Sequence, residues 1–402
     1  MDTKWRSKGF INPYIIFSSI FFLVYVLYQI PYSNLNMELD IKLKTFLLIA
    51  IFINFILGIT FKSNFALVYY KNPEFDKSRI RVITFLMILA MVIEGVYSKG
   101  FPILKQVNYK DYGVPVLHVI LVTVDSFYIL VLVKKLYDNR FKSNFIIFNI
   151  LLATIPLLVS LSRGIIMILL LNILYLVILS TKRIFSFKNL LGILIIMIGG
   201  LYVFGIAGNY RMNTDYKRVE DIRQSSLILS IGQASTKFND SHIPAPYFWT
   251  YSYGTSPIAN LNMNIQNVLV DDSHIKVRNV TEFMVVNFLP DFISKRIYPD
   301  ETIRVKPNQI IAEFTAVTAF AQAYLMLGWG GLYVYLLYIL IFPIVYMEII
   351  KKVNPEFSNI ALAMMATLYT LLPFSNFFAF TGLSLQLVFP IIMTLFKGGR
   401  FK

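Results

Sequence analysis

The chain has 402 residues, 57% of them hydrophobic and 16% aromatic, and its 37 Lys and Arg against 22 Asp and Glu give a formal net charge of +15. With a positive mean hydropathy, this composition excludes an ordinary soluble globular protein and points to a polytopic membrane protein whose core is solvated by the bilayer. The absence of cysteine excludes disulfides and thiolate chemistry, and no glycine-rich phosphate loop marks a nucleotide site.

Taken in order, windows of roughly 20 apolar residues predict about ten spans, at 14–30, 45–61, 80–97, 114–133, 145–162, 164–180, 190–207, 314–350, 360–378 and 382–396. The expected fold class is therefore all-α, a single membrane domain over 1–402. With the N-terminus cytoplasmic, alternate connections hold twenty of the basic residues, among them Lys62, Arg79, Arg81, Lys134, Arg140, Lys182 and Lys351. The short connections on the other side hold only Lys42, Lys44, Lys99, Lys105, Lys110 and Arg163. Basic residues stay on the cytoplasmic side of span ends, so both termini are expected in the cytoplasm. The positive charge then reads as an orientation signal, and nucleic acid is not an expected partner. Lys4, Arg6 and Lys8 precede a span too long for a signal-peptide core, so the first span is expected to be an uncleaved anchor.

One large polar connection, 208–313 between spans 7 and 8, falls on the extracytoplasmic side. From Asn209 to Glu313 it carries eleven acidic and eleven basic residues and two of the three histidines, His242 and His274. Within it, 214–231 reads as an amphipathic helix lying on the membrane, the prolines and glycine of 242–257 argue against a long helix, and a second helix is expected over 281–289, ending at Pro290. The rest reads as irregular.

Two places break the apolar pattern elsewhere. Leu161-Ser162-Arg163-Gly164 joins two spans by almost nothing and leaves a charge at the bend. Leu327-Gly328-Trp329-Gly330-Gly331 interrupts an apolar run too long for one span, as in a kinked or re-entrant segment whose backbone must be shielded by protein.

No ATP or nucleotide sugar is available outside the cell, so bond formation there requires an activated group already attached to a lipid or carrier. A lipid-linked diphosphate fits, and arginine suits its oxygens because the guanidinium fork binds two at once and keeps its charge. Arg163, Arg211, Arg223 and Arg278 are the candidate binding residues, with ordinary headgroup contact as the alternative. A general base needs a carboxylate or imidazole beside the attacking hydroxyl; Asp240, His242, His274, Glu282 and Glu313 are available, and His242 and Glu313 are the candidates. Each is otherwise a hydrogen-bonded surface group. The aromatics at 247–253, Tyr253 included, suit stacking on sugar rings or an interfacial belt. Asp271-Asp272-Ser273-His274 has the composition of a metal site but lacks further ligands at definable spacing and reads better as a solvated turn; no metal or cofactor is expected. Glu94, His118 and Asp125 lie within predicted spans, where ionisable residues are costly. They read as functional by default; a structural pair, for instance Glu94 with Arg163, is the alternative, structural pairing is favoured for Asp125, and three such residues do not make a proton pathway.

The Leu161-Ser162-Arg163-Gly164 bend, the run Tyr253-Gly-Thr-Ser256-Pro257-Ile-Ala-Asn260 in a large outer loop, and the late Gly328-Trp-Gly330-Gly331 before a basic turn together resemble the Wzy-type polymerases of bacterial O-antigen and capsular polysaccharides. No arginine here is followed by glycine eleven residues later, as in some members. The resemblance implies a GT-C-like glycosyltransferase in the cytoplasmic (inner) membrane, transferring a glycan from undecaprenyl diphosphate to a second lipid-linked repeat unit without metal. It implies diphosphate binding by Arg163 and Arg211, and a chain-length regulator and a flippase as protein partners beside membrane lipids. A flippase or other transporter, for which Asp125 speaks, and a glycan ligase of the same architecture are the competing readings.

Overall fold

The computed structural model describes residues 9–67, 76–181, 187–224, 226–267, 277–300, 304 and 306–393. Among them the fold is all-helical, and one isolated antiparallel bridge, Ser33 to Ala234, is the only extended pairing. Five helices are long and apolar enough to cross a membrane: α2 Ile41–Thr60, α3 Lys77–Tyr97, α4 Leu117–Asp138, α6 Arg163–Ser180 and α13 Phe320–Val353. Three more apolar helical segments are shorter: α1 Pro13–Gln29, α5 Asn144–Val159 and the composite stretch Thr381–Ile392. The others are α7 Phe187–Asp215, α8 Ser226–Ile231, α9 Thr236–Asn239, α10 Tyr247–Asn267, α11 Val277–Phe288, α12 Asp291–Ile297, α14 Ser358–Leu371, α15 Thr381–Ser384 and α16 Phe389–Ile392.

Local chemistry fixes where the apolar helices begin. Asn12 caps α1 through the Ile15 amide at 3.1 Å, with Pro13 as the first helical residue, where a missing N–H costs nothing. Its amide nitrogen also donates to the Gly58 carbonyl at 3.0 Å, tying the start of α1 to the end of α2. Asp40 caps α2 and Asp76 caps α3. At the bend between α5 and α6, Leu161 takes a left-handed φ of 53° and α6 begins at once at Arg163, so the expected tight connection is present.

The bundle is centred on α14. Nearly all of its residues are buried, because Ala361, Ala363 and Ala366 let neighbouring backbones approach closely, the small-residue packing that apolar helices use when no water drives them together. It packs against α6, α1 and α13, while α4 packs on α5 and α6, and α3 lies at the edge against α5. One end of this bundle, here the capped end, carries α8 to α12. At the opposite end Lys351 donates to the Asn64 carbonyl, Tyr137 to that of Ser180, and Asn354 to those of Pro390 and Ile391.

The break expected near Gly328 is real and sharp. Leu327 and Gly328 leave the helical region within α13, Gly328 with φ 55° and ψ −142°, a conformation open to glycine and costly for other residues. The chain at 314–319 runs unwound into the bundle, turns at Phe320, and climbs one short helical arm before reversing into Trp329–Val353. Phe320 is fully buried amid Phe21 at 5.8 Å, Phe46 at 5.1 Å and Tyr335 at 5.8 Å. The non-helical backbone at Thr318 and Ala319 and at the Leu327–Gly328 turn is buried, as a low-dielectric surrounding requires.

Several expectations are corrected. The helix expected over 214–231 is two pieces, because α7 continues to Asp215 and the chain then folds back along it before the six-residue α8. The segment 242–257 does not resist helix formation: α10 runs through Gly254 and Pro257, since tertiary packing of its two faces outweighs local propensity. The helix expected to end at Pro290 is α11, and α12 follows where irregular chain was expected. The last predicted spans are shorter, with α14 ending at Leu371 and the return strung from α15, a 3-10 turn and α16.

A Cβ at Gly331 would overlap the carbonyl oxygen of Ala323, whereas Gly330 faces open space. Gly331→Ala should therefore pry apart the two arms at a cost of about 1–3 kcal/mol and lower the unfolding temperature in detergent, while Gly330→Ala should leave it unchanged. Equal unfolding temperatures for the two variants, read by size-exclusion after heating, would contradict the hairpin.

Candidate functional site

The capped end is built on α10, and the residue types along it explain its position. Its first two turns hold aromatics and its last two hold asparagines. Trp249 and Tyr253, one turn apart and therefore on one face, pack with Phe314 at 5.9 and 5.8 Å. Phe204 of α7 meets Tyr253 at 5.4 Å. The buried indole N–H donates to Asn209 Oδ1 at 2.6 Å, and Asn209 Nδ2 donates to the Ile222 carbonyl at 2.7 Å. Tyr251, on another face, donates to the Ile30 carbonyl at 2.5 Å and accepts from Asn36 Nδ2 at 2.8 Å. Most of the aromatic segment is thus interior packing rather than an exposed stacking platform; Tyr247 and Tyr253 are half-buried toward the rim.

Asparagines fasten the other half. Asn260 Nδ2 donates to the carbonyls of Phe314 and Ala316, each at 2.8 Å, and its Oδ1 accepts from the Ile310 amide at 2.7 Å. Asn264 makes the same kind of clasp with both backbone groups of Asn308. Asn262, facing the other way, accepts from the Asp40 amide at 2.8 Å and donates to the Glu38 carbonyl at 3.0 Å. The primary amide offers donor and acceptor together and so satisfies backbone groups that helix and sheet leave over.

At the α7 end of α10, four sequence candidates share one corner. Tyr216 donates to Glu313, and that bond holds the Tyr216 phenol above its ordinary pKa. Glu313 adjoins Phe314, which touches Tyr253. Arg211 lies one turn before Asp215 and pairs with it at 3.5 Å, both exposed; Arg223 is exposed on the turn that folds back against Asn209. Arg218, which sequence reasoning passed over, pairs with Glu220 at 3.1 Å. Glu220, further bonded to Ser226, is held below the usual glutamate range.

Other candidates lie apart. Arg163, exposed and without a carboxylate partner among the described residues, stands at the start of α6. Since α6 packs on α14, α14 on α1, α1 on α10 and α10 on α7, Arg163 is separated from Arg211 by the centre of the bundle. His242 is exposed ahead of α10 and makes no side-chain bond among the described residues. The side chain of Arg278 and all of Asp271-Asp272-Ser273-His274 lie outside the described residues. Glu94 does not pair with Arg163: its carboxylate meets His118 Nδ1 at 3.0 Å.

A groove completes the capped end. Between α2 and α13, Ile41, Thr45, Phe46, Ile49, Trp329 and Tyr333 line an apolar trough of about 670 Å³ with Lys42 at its upper edge. It continues past Ile41 into a more polar pocket of about 280 Å³ bearing Glu38, Asn36 and Lys44. Beside the trough, Tyr324 donates to the Ile265 carbonyl of α10 and packs against the lining residue Trp329 at 5.9 Å. The available signal was Lys42 and Lys44 at a span end, with Trp329 and Tyr333 one turn apart, but pairing α2 with α13 is a tertiary fact. No protein-family model, curated protein or solved structure matches the chain.

Removing the Asn260 clasp strands two buried carbonyls and one amide, at about 1–3 kcal/mol each. Asn260→Ala should expose 308–316 and speed its cleavage in limited proteolysis at least tenfold relative to cleavage elsewhere. A wild-type digestion pattern would show that this side chain does not hold the segment.

Proposed function

We propose that the chain polymerises oligosaccharide repeat units carried on a lipid diphosphate, at the outer face of a bacterial cytoplasmic membrane. The supporting observation is the trough between α2 and α13, an apolar channel with Lys42 at its edge that shares Ile41 with a more polar pocket bearing Lys44. A polyprenyl tail matches the trough, and Lys42 and Lys44 match the charge of a diphosphate at headgroup depth. On this reading the capped end faces outward, the apolar helices form about ten passes in a GT-C-like arrangement, and both termini are cytoplasmic.

The chemistry is one displacement. The hydroxyl oxygen of the acceptor sugar bonds to the anomeric carbon of the donor glycan as that carbon's bond to the diphosphate oxygen breaks. The hydroxyl proton goes to Glu313 or His242, and the lipid diphosphate departs with both electrons of the broken bond. Glu313, oriented by Tyr216, has the fixed geometry a base needs. Arg211 and Arg223 stand at the same corner and suit the donor's diphosphate, because cations aimed at charge that grows on a leaving group lower the barrier; Lys42 and Lys44 then suit the diphosphate of the acceptor lipid. Arg163, without a carboxylate partner among the described residues, stands on the other side of the bundle and is a further candidate for a diphosphate. Transport of the same lipid-linked glycan is the second reading, favoured by the carboxyl of Asp125 within α4.

Surface glycan from cells lacking the gene should run on a gel as single repeats where complemented cells give a ladder, and complementation with Arg163→Ala should restore membrane insertion but not the ladder. Loss of all outer glycan, with lipid-linked units retained inside, would favour transport. Unaltered long glycan in the Arg163→Ala cells would remove that residue from the site.

A further inference from the structure

Away from the α10 corner, three ionisable side chains converge between α3, α4 and α5. His118 and Asp125 are seven residues apart, so they share one face of α4 about 10 Å apart along its axis; Glu94 comes from the upper end of α3. Glu94 is 4% exposed and Asp125 2% exposed. His118 Nδ1 lies 3.1 and 3.0 Å from the two Glu94 oxygens. The imidazole is fixed further by the edge of Tyr112 at 5.5 Å and by Gly113, where a Cβ would strike the ring. Both oxygens of Asp125 are enclosed without a hydrogen-bond partner. All three residues line one cavity of about 20 Å³, walled by Met91, Leu121 and Pro156, and that volume admits about one water.

The surroundings say what this cavity can hold. From α3 it is faced by Glu94. From α4 it is faced by His118, and Tyr128 adjoins Asp125 with its hydroxyl committed to the Ile80 carbonyl at 3.0 Å and to Thr84 at 2.9 Å. From α5 comes Pro156, and on the far side of α4 Gln386 bonds to Ser126. No lysine or arginine lines the cavity. A carboxylate with no cation and no donor beside it is too costly to keep charged in apolar surroundings. A metal ion would need several oxygen ligands at once, and no group of three metal-ligating side chains occurs among the described residues. A proton needs only the one carboxyl.

We propose that Glu94, His118 and Asp125 form a proton-binding site loaded from the capped end, with Asp125 as the terminal acceptor and the Glu94–His118 pair as its doorway. His118, whose side chain is 21% exposed, takes a proton from bulk water. An N–H bond of the imidazolium then breaks as an O–H bond of a water in the cavity forms, and transfer along the cavity ends with a new O–H bond on a carboxylate oxygen of Asp125. His118 is restored by the next proton from solvent, and unloading runs the same steps in reverse. The site is independent of the glycan chemistry, and it gives Asp125 a ligand where a structural partner was expected.

The full chain in phosphatidylcholine nanodiscs can be followed by infrared difference spectroscopy after pH jumps. Wild type should show the carbonyl stretch of a buried protonated carboxyl that bleaches at alkaline pH, and Asp125→Asn, nearly isosteric, should lose that band. Asp125→Glu, which keeps the carboxyl, should retain the band at a shifted frequency. His118→Gln should keep it but slow its appearance at least tenfold. A carboxyl region unchanged in Asp125→Asn, or a band unmoved in Asp125→Glu, would overturn the assignment. So would loss of the wild-type band on adding sodium chloride but not choline chloride, since the ligand would then be a metal cation. Unchanged kinetics in His118→Gln would overturn the doorway.

Discussion

The carboxamide of Asn260 occupies the point where the chain turns from the polar segment back into the helical bundle. Residues 308–316 there are neither helix nor strand, so their amides and carbonyls need partners that regular structure does not supply. Asn260 provides three of them and Asn264 two more. The path of the chain from the capped end into the bundle rests on that clasp. It lets Phe320 sit among Phe21, Phe46 and Tyr335 in the centre of the bundle, and it sets the start of the hairpin that reverses at Gly328. It also fixes Glu313 beside Tyr216 and Phe314 beside Tyr253. A chain without cysteine cannot brace such an assembly covalently; here asparagines do so at Asn209, Asn260, Asn262, Asn264 and Asn376.

Much of the architecture was legible because it depends on apolar length and local breaks. The tight α5–α6 bend could be read from four residues, and the interruption at Gly328 from a glycine cluster within an apolar run. What misled was the aromatic and proline-rich 242–257 stretch. Pro257 and Gly254 weaken a helix in isolation, yet Trp249, Tyr253, Asn260 and Asn264 share one face of α10, and that face finds its partners only once α7 and residues 308–316 are assembled. The site candidates fared likewise. Arg211, Arg223, Tyr253 and Glu313 come together because α7 continues beyond its apolar stretch and the chain then folds back, whereas Arg163 stays on the other side of α14. The Glu94–His118 pair joins α3 and α4, and no spacing within one helix announces it.

Three chemically distinct regions therefore share one scaffold: a mixed-charge corner at α7, an apolar trough beside the other end of α10, and a buried carboxyl cavity among α3, α4 and α5. The corner and the trough are linked by α10 itself, which touches α7 at Trp249 and Tyr324 of α13 at Ile265. A displacement of α10 would alter both at once. The cavity has no contact with that helix and is framed by the least buried of the apolar helices, α3.

The claim that α10 is an embedded cap rather than a free loop is tested most directly by thiol labelling, which the lack of native cysteine makes clean. A membrane-impermeant maleimide is added to intact cells carrying Ser256→Cys, at a buried position of α10, or Lys237→Cys, at an exposed position of α9. The account requires rapid labelling at 237 and none at 256 until the protein is denatured. Equal labelling of the two positions in the native protein would contradict it.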